Sequence, residues 1–155
     1  MMVNICPSVF ILRFVSQSKP QLEHSTVMEL LYKATHLEIS HDPVENILYC
    51  RWLGPQQTDK IMDSGHRILA YVKEKHISRV LNDNRDVKGP WQDAARWAAT
   101  VWFPDMISAG LKYFAWILSV DVFAEISADL AMSRVSVVRT FRSYNEAHQW
   151  LLAQQ

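Results

Sequence analysis

One helical repeat between two strand-like runs constrains the fold of this chain more than any other feature. In the segment after Gly54-Pro55, apolar residues at positions 61, 62, 65, 68, 69 and 72 recur on one face of an α-helix, for which Thr58 is the predicted N-cap. Strand-like runs lie before this helix, at 47–53, and after it, at 79–83. A strand, a helix and another strand in this order predict two parallel strands joined by a crossover helix.

The first and middle parts of the chain extend this pattern. Residues 37–40 and 47–53 predict a hairpin around the turn residues 41–46. Pro90 opens a second helix that runs to about residue 109. Pro104 lies inside this helix and should kink or break it near Trp102 and Phe103, because proline cannot donate a main-chain hydrogen bond.

The last part of the chain alternates in the same way. The apolar run 113–118 predicts a strand covered on both faces. A short helix capped by Ser119 or Asp121 follows it, then a strand at 137–141 and a final helix behind a capping box that begins at Ser143. The predicted fold is therefore α/β, a single small mixed sheet of about five strands flanked by about four helices.

The readable pattern begins only at Met28. We therefore expect residues 1–27 to be a weakly ordered N-terminal extension, or the product of an upstream start, and residues 28–155 to form one domain. A chain of 155 residues fits one domain better than two. No stretch reaches the roughly 18 continuous apolar residues that a membrane span needs.

Charge and cysteine content narrow the function classes. The 16 basic and 16 acidic side chains balance, so a nucleic-acid partner is not expected. Two cysteines, Cys6 and Cys50, favour a reducing cytoplasm, although a disulfide between them stays open. The histidines lack metal-ligand spacing and no catalytic motif is present. We expect no metal, no cofactor and no enzymatic activity.

Two unusual motifs accompany these elements. Asp83-Asn84-Arg85 follows a strand, and Trp102-Phe103-Pro104 lies within a helix. Together with the segments 31–33, 37–40 and 46–52, they resemble the bacterial SpoIIAA-like, or STAS, domains and the CRAL-TRIO-like domains over residues 28–153. The resemblance implies a small sheet flanked by helices that binds macromolecules or small ligands. Signalling members carry a phosphorylatable Ser after the central strand, whereas residues 83–89 here contain neither Ser nor Thr.

A predicted polar loop and the helix after it form the candidate binding surface. The loop follows the carboxyl end of a strand, which is where open α/β sheets bind ligands. On the helix, Trp91 and Trp102 share one face, while Trp97 and Phe103 lie elsewhere and are expected to be exposed. In the alternative interpretation, Arg85 pairs with Asp83 or Asp86 in a solvated turn and the tryptophans are core. The predicted ligand- or partner-binding residues are Asp83, Asn84, Arg85, Asp86, Lys88, Trp91, Trp97 and Phe103.

These observations lead to two functional hypotheses. The first is a non-enzymatic regulatory or protein-interaction module that resembles the STAS anti-sigma factor antagonists but lacks their phosphorylatable Ser; its partner is another protein. The alternative is a small-molecule or lipid-binding domain of the CRAL-TRIO-like type. A closed apolar pocket beneath the Trp-rich helix would favour a small apolar ligand, and an exposed apolar patch would favour a protein partner.

Overall fold

Six strands form one mixed sheet in chain order in the computed structural model, which describes residues 28–154. The first three strands pair antiparallel, and the third to the sixth run parallel. This confirms the α/β class, with six strands in place of about five. The predicted extension 1–27, including Cys6, lies outside the described residues. The strands are β1 (Glu29–Lys33), β2 (Leu37–Asp42), β3 (Ile47–Pro55), β4 (Arg79–Lys88), β5 (Tyr113–Ile117) and β6 (Val138–Phe141).

The helices cover the two faces of the sheet unequally. The helical segments are α1 (Thr58–Glu74), α2 (Gln92–Trp97), a π-helical segment (Ala98–Trp102), α3 (Phe103–Ser108), α4 (Val122–Ala131) and α5 (Tyr144–Leu152). The parallel strands follow one another in chain order, and right-handed crossovers then put α1 to α4 on one face. The last helix, α5, closes a second, smaller core on the other face with Ile47, Leu81 and Ile117.

Strand β1 is the one that the sequence pattern did not predict. Among the described residues it pairs only with β2, and all five of its residues are exposed or half-buried. A strand at the edge of a sheet with little burial has no strict alternation of apolar and polar residues, which is the signal that periodicity detects. The neighbouring hairpin of β2 and β3 has this alternation and forms as predicted.

The prediction of a polar loop after the strand at 79–83 is wrong, because this strand, β4, continues through Asp83 and Asn84 to Lys88. The extension pairs with the end of β3, where Gly54 lies opposite Val87. Asn and Asp side chains favour turns by bonding to nearby main-chain groups. Here the side chains of Asn82 and Asn84 bond to each other instead, so the strand does not end.

Pro104 reshapes the second helix as predicted, through a π-helical segment immediately before it. The proline ring would collide with the carbonyl of Thr100 in a regular α-helix, and the wider π-turn relieves this contact. A π-turn also holds more residues than an α-turn, so the residues after it are rotated from their α-helical positions. Phe103, predicted to be exposed, is therefore turned onto the core face and is 0% exposed.

The helix caps follow the sequence at two of three predicted positions. The Asp121 carboxylate accepts hydrogen bonds from the amides of Phe123 and Ala124, and the Ser143 hydroxyl accepts one from the amide of Glu146. Thr58 is not the N-cap of α1 as predicted, because Gln57 occupies that position without a side-chain hydrogen bond. Within residues 28–154, no helix combines the length and the apolar character needed to cross a membrane.

Candidate functional site

The strand conformation of residues 83–88 separates the predicted site residues onto two faces of the sheet. Side chains alternate along a strand, so Asn84 joins the face covered by α1 to α4, and Asp83 and Arg85 join the other. The single surface predicted for the loop and helix is therefore not formed. Three of the predicted residues, Asn84, Trp91 and Trp97, line one cavity, and the other five do not.

Asp83 and Arg85 form an ion pair on the face away from this cavity. The Arg85 guanidinium donates to both carboxylate oxygens of Asp83, at 2.9 and 2.7 Å, and the Arg85 amide donates to the same carboxylate. These hydrogen bonds raise the pKa of Arg85. Asp86 accepts from Arg51 at 2.9 Å in an exposed pair, and Lys88 is exposed. The predicted alternative of Arg85 paired with Asp83 is confirmed.

The main-chain amide of Trp91 and the hydroxyl of Ser119, both near the end of β4, are engaged in hydrogen bonds within the protein. The Trp91 amide at the start of α2 donates to the Ser127 hydroxyl. Ser119, the hydroxyl of the neighbouring strand end, is buried and donates to the carbonyl of Val87. Neither group is therefore free to bind an anion or to be phosphorylated in this conformation.

The cavity lies at the carboxyl ends of β3, β4 and β5, beneath α1 and the Trp-rich helical segments. Its volume is about 50 Å³, and it opens to solvent on one side. All the lining residues are buried except Gln56 and Trp97, which are half-buried and mark the opening. We call it the tryptophan cavity; its lining residues are Trp52, Gln56, Ile61, Gly65, Asn82, Asn84, Val87, Trp91, Trp97, Ala98, Trp102, Phe114 and Trp116.

A chain of buried hydrogen bonds forms the floor of the tryptophan cavity. The Trp52 indole N–H donates to Asn82 Oδ1 at 2.8 Å, and Asn82 Nδ2 donates to Asn84 Oδ1 at 2.9 Å. An indole can only donate, so this chain fixes which end of each amide is the oxygen. The amide nitrogen of Asn84 is left at the end of the chain as a donor.

Three further side chains of the cavity carry buried polar atoms without a protein partner among the described residues. They are Gln56 Oε1, Trp91 Nε1 and Trp116 Nε1. Trp91 and Trp116 are 8% and 4% exposed, and their rings are 6.1 Å apart and nearly parallel, at 23°. Buried polar groups are almost always hydrogen-bonded in native proteins. Three such atoms around one cavity give its walls the means to hydrogen-bond a molecule held inside it.

Gly65 of α1 permits the close approach of two tryptophans to this helix. A Cβ at this position would lie 2.7 Å from Trp97 Cη2 and 3.1 Å from Trp102 Nε1. The Trp102 indole donates to the carbonyl of Gly65 at 2.7 Å. Glycine inside a helix costs up to about 1 kcal/mol relative to alanine, and the packing of these rings explains its presence.

Among residues 28–154, no side chain that lines the tryptophan cavity is charged or titratable near neutral pH. Cys50, on the same face of the sheet, is completely buried, and burial raises the pKa of its thiol well above the ordinary range, so it is not a nucleophile. Among residues 28–154 there is no group of His, Cys, Asp or Glu side chains that could hold a metal ion. The cavity is built for hydrogen bonding and aromatic contact.

Trp52, Asn82 and Trp116 line the cavity but were not among the residues predicted from the sequence. Asn82 lies beside Trp116 of β5 in the strand register, so these two residues occupy one row across the sheet. Two sequence features could have indicated this cavity. One is the polar residue Asn82 inside an apolar strand, and the other is Gly65 on the apolar face of a helix. Comparison of this chain with protein-family models, with curated proteins and with solved structures gives no match.

Proposed function

We propose that this chain is a small-molecule-binding domain and that the tryptophan cavity is its binding site. The observation that carries this proposal is the set of three buried polar atoms, Gln56 Oε1, Trp91 Nε1 and Trp116 Nε1, around one apolar cavity without a protein partner among the described residues. A few polar groups in an otherwise apolar, aromatic wall are typical of small-molecule sites.

The energetics support a binding role over a purely structural one. A buried polar group without a hydrogen bond costs about 1–3 kcal/mol, and phenylalanine would fill much of the same space without this cost. Trp91 and Trp116 therefore carry indole nitrogens that destabilise the empty domain. A ligand that accepts from these nitrogens recovers this free energy on binding, which explains why tryptophan stands at these positions.

A second candidate function is the regulatory or protein-interaction role implied by the STAS-like resemblance, in a cytoplasmic setting. An exposed apolar patch at the start of α4 favours it, formed by Val120, Val122, Phe123 and Ile126, of which Val120 is 89% exposed. Apolar patches on a surface often mark protein contacts. The patch consists of other residues than those of the predicted surface, and the two functions are compatible because the cavity and the patch share no residue.

Saturation-transfer NMR with three single-ring probes tests the proposed function. The probes are benzamide, acetophenone and benzoate, which have nearly the same size and shape. In Ala98→Phe, a buried lining residue is enlarged into the cavity, whereas Trp150→Phe alters a half-buried tryptophan on α5, on the other face of the sheet. We expect at least one probe to bind the wild type and Trp150→Phe, with binding lost in Ala98→Phe.

Thermal melting curves of each variant show whether it is folded under the conditions of the binding test. If Ala98→Phe does not fold, Ala98→Leu fills the same part of the cavity with a smaller side chain. Absence of binding by all three probes, or binding that survives the filling of the cavity in a folded variant, would contradict the proposed function.

A further inference from the structure

We infer that the group held in the tryptophan cavity is a neutral, planar amide or lactam, with its carbonyl oxygen toward the indole nitrogens and its N–H toward Gln56. This inference rests on the proposed function and specifies the ligand of that same site. It follows from the hydrogen-bonding chemistry, charge and shape of the lining residues.

The cavity offers donors from three side chains. Trp91 Nε1 and Trp116 Nε1 can only donate and have no partner among the described residues. Asn84 Nδ2 is a donor because its oxygen already accepts from Asn82. These three donors require an acceptor on the ligand. A carbonyl oxygen has two lone pairs and can accept hydrogen bonds from two of them.

Gln56 supplies the complementary acceptor at the opening. Its amide nitrogen donates to the carbonyls of Leu53 and Gly54, at 3.0 and 3.2 Å, which fixes the orientation of the amide. Its oxygen is buried without a partner and therefore calls for a donor on the ligand. A ligand group that carries both an acceptor oxygen and an N–H satisfies both sides of the cavity.

Charge excludes the ionic groups of similar shape. The described part of the chain contributes no lysine, arginine or histidine to the cavity walls to pair with a carboxylate, and no aspartate or glutamate to pair with an ammonium group. Burying either ion without a partner costs far more than the hydrogen bonds return. The neutral amide is the group that matches the wall without this cost.

Size and shape restrict the group further. The cavity volume of about 50 Å³ has room for a small polar group such as an amide. The nearly parallel rings of Trp91 and Trp116 favour a flat group. The half-buried Gln56 and Trp97 line the opening, so the remainder of the ligand extends between them toward solvent.

Titration calorimetry with the same three probes tests this inference. Benzamide has both the oxygen and the N–H, acetophenone lacks the N–H, and benzoate carries a charge. We expect benzamide to bind about tenfold more tightly than acetophenone, the value of one well-formed hydrogen bond, and benzoate not to bind.

Gln56→Met removes the acceptor at similar side-chain length. We expect this variant to bind benzamide and acetophenone equally well, with the affinity for acetophenone within about twofold of the wild-type value. A merely structural effect of the substitution would instead lower both affinities equally. Equal affinity of the wild type for benzamide and acetophenone, or tighter binding of benzoate, would overturn the inference and leave the proposed function standing. Binding of none of the probes would contradict the proposed function itself.

Discussion

Two tryptophans of the cavity provide a matched pair for measuring the consequence of an unpaired indole nitrogen. Trp102 and Trp116 are both buried and both line the cavity. Trp102 Nε1 donates to the Gly65 carbonyl at 2.7 Å, whereas Trp116 Nε1 has no partner among residues 28–154. Trp102→Phe and Trp116→Phe delete the same atoms, so the cost of the smaller ring largely cancels when the two variants are compared.

The structure predicts that Trp102→Phe is the less stable variant of this pair. Loss of its hydrogen bond costs about 0.5–1.5 kcal/mol. In Trp116→Phe, removal of a buried unpaired group relieves a penalty of about 1–3 kcal/mol. The lower ends of both ranges already separate the variants by about 1.5 kcal/mol in the free energy of unfolding.

Urea denaturation followed by far-ultraviolet circular dichroism measures this difference without relying on tryptophan fluorescence. With a slope of about 1–3 kcal/mol per molar urea, the midpoints should differ by about 0.5–1.5 M, with Trp116→Phe at the higher midpoint. Equal midpoints, or a lower one for Trp116→Phe, would mean that Trp116 Nε1 is already hydrogen-bonded in the unliganded protein. That result would refute the argument for a ligand-binding indole.

Three further predictions concern other parts of the molecule. Gly65→Ala should give none of the roughly 1 kcal/mol gain expected from helix propensity, because the new Cβ displaces Trp97, and a thermal melt that shows the full gain would refute this. Arg85→Ala should cost about 1.5–3 kcal/mol by leaving the buried Asp83 carboxylate unpaired, and adding Asp83→Asn should recover most of it in urea denaturation. Burial, with a contribution from Lys60, lowers the pKa of His36 below its ordinary 6.5, so the unfolded chain takes up the proton first and stability should fall as the pH drops through 6.5. His36→Gln should lack this component, and identical pH profiles of the two proteins would contradict it.

The strongly periodic elements could be predicted from the sequence because local pattern and tertiary burial agree there. The apolar face of α1 and the continuous apolar run of β5 are both fully used by the core. Asp121 and Ser143 cap their helices because capping is a local interaction between neighbouring residues. The candidate cavity also lies at the carboxyl ends of the parallel strands, the region where open α/β sheets bind ligands.

The remaining features depend on contacts between residues that are distant in sequence. Asn82 and Asn84 resemble turn residues until Trp52, on another strand, supplies the hydrogen bond that holds them in β4. Phe103 reaches the core only because the π-turn before Pro104 shifts the helical phase. Trp116 could be recognised as a site residue only after the register placed it beside Asn82. None of these relations is contained in a window of neighbouring residues.

The most direct measurement of the proposed binding site is a titration of the indole N–H resonances of the protein with benzamide. The chain contains six tryptophans, all of them within the described residues, so a ¹⁵N-correlated spectrum resolves each indole separately. Ligand binding in the tryptophan cavity predicts that the resonances of Trp91 and Trp116 move furthest on addition of benzamide, while that of Trp150, on the opposite face of the sheet, stays in place. Unchanged positions of Trp91 and Trp116 at saturating benzamide, or shifts confined to Trp150, would contradict the account.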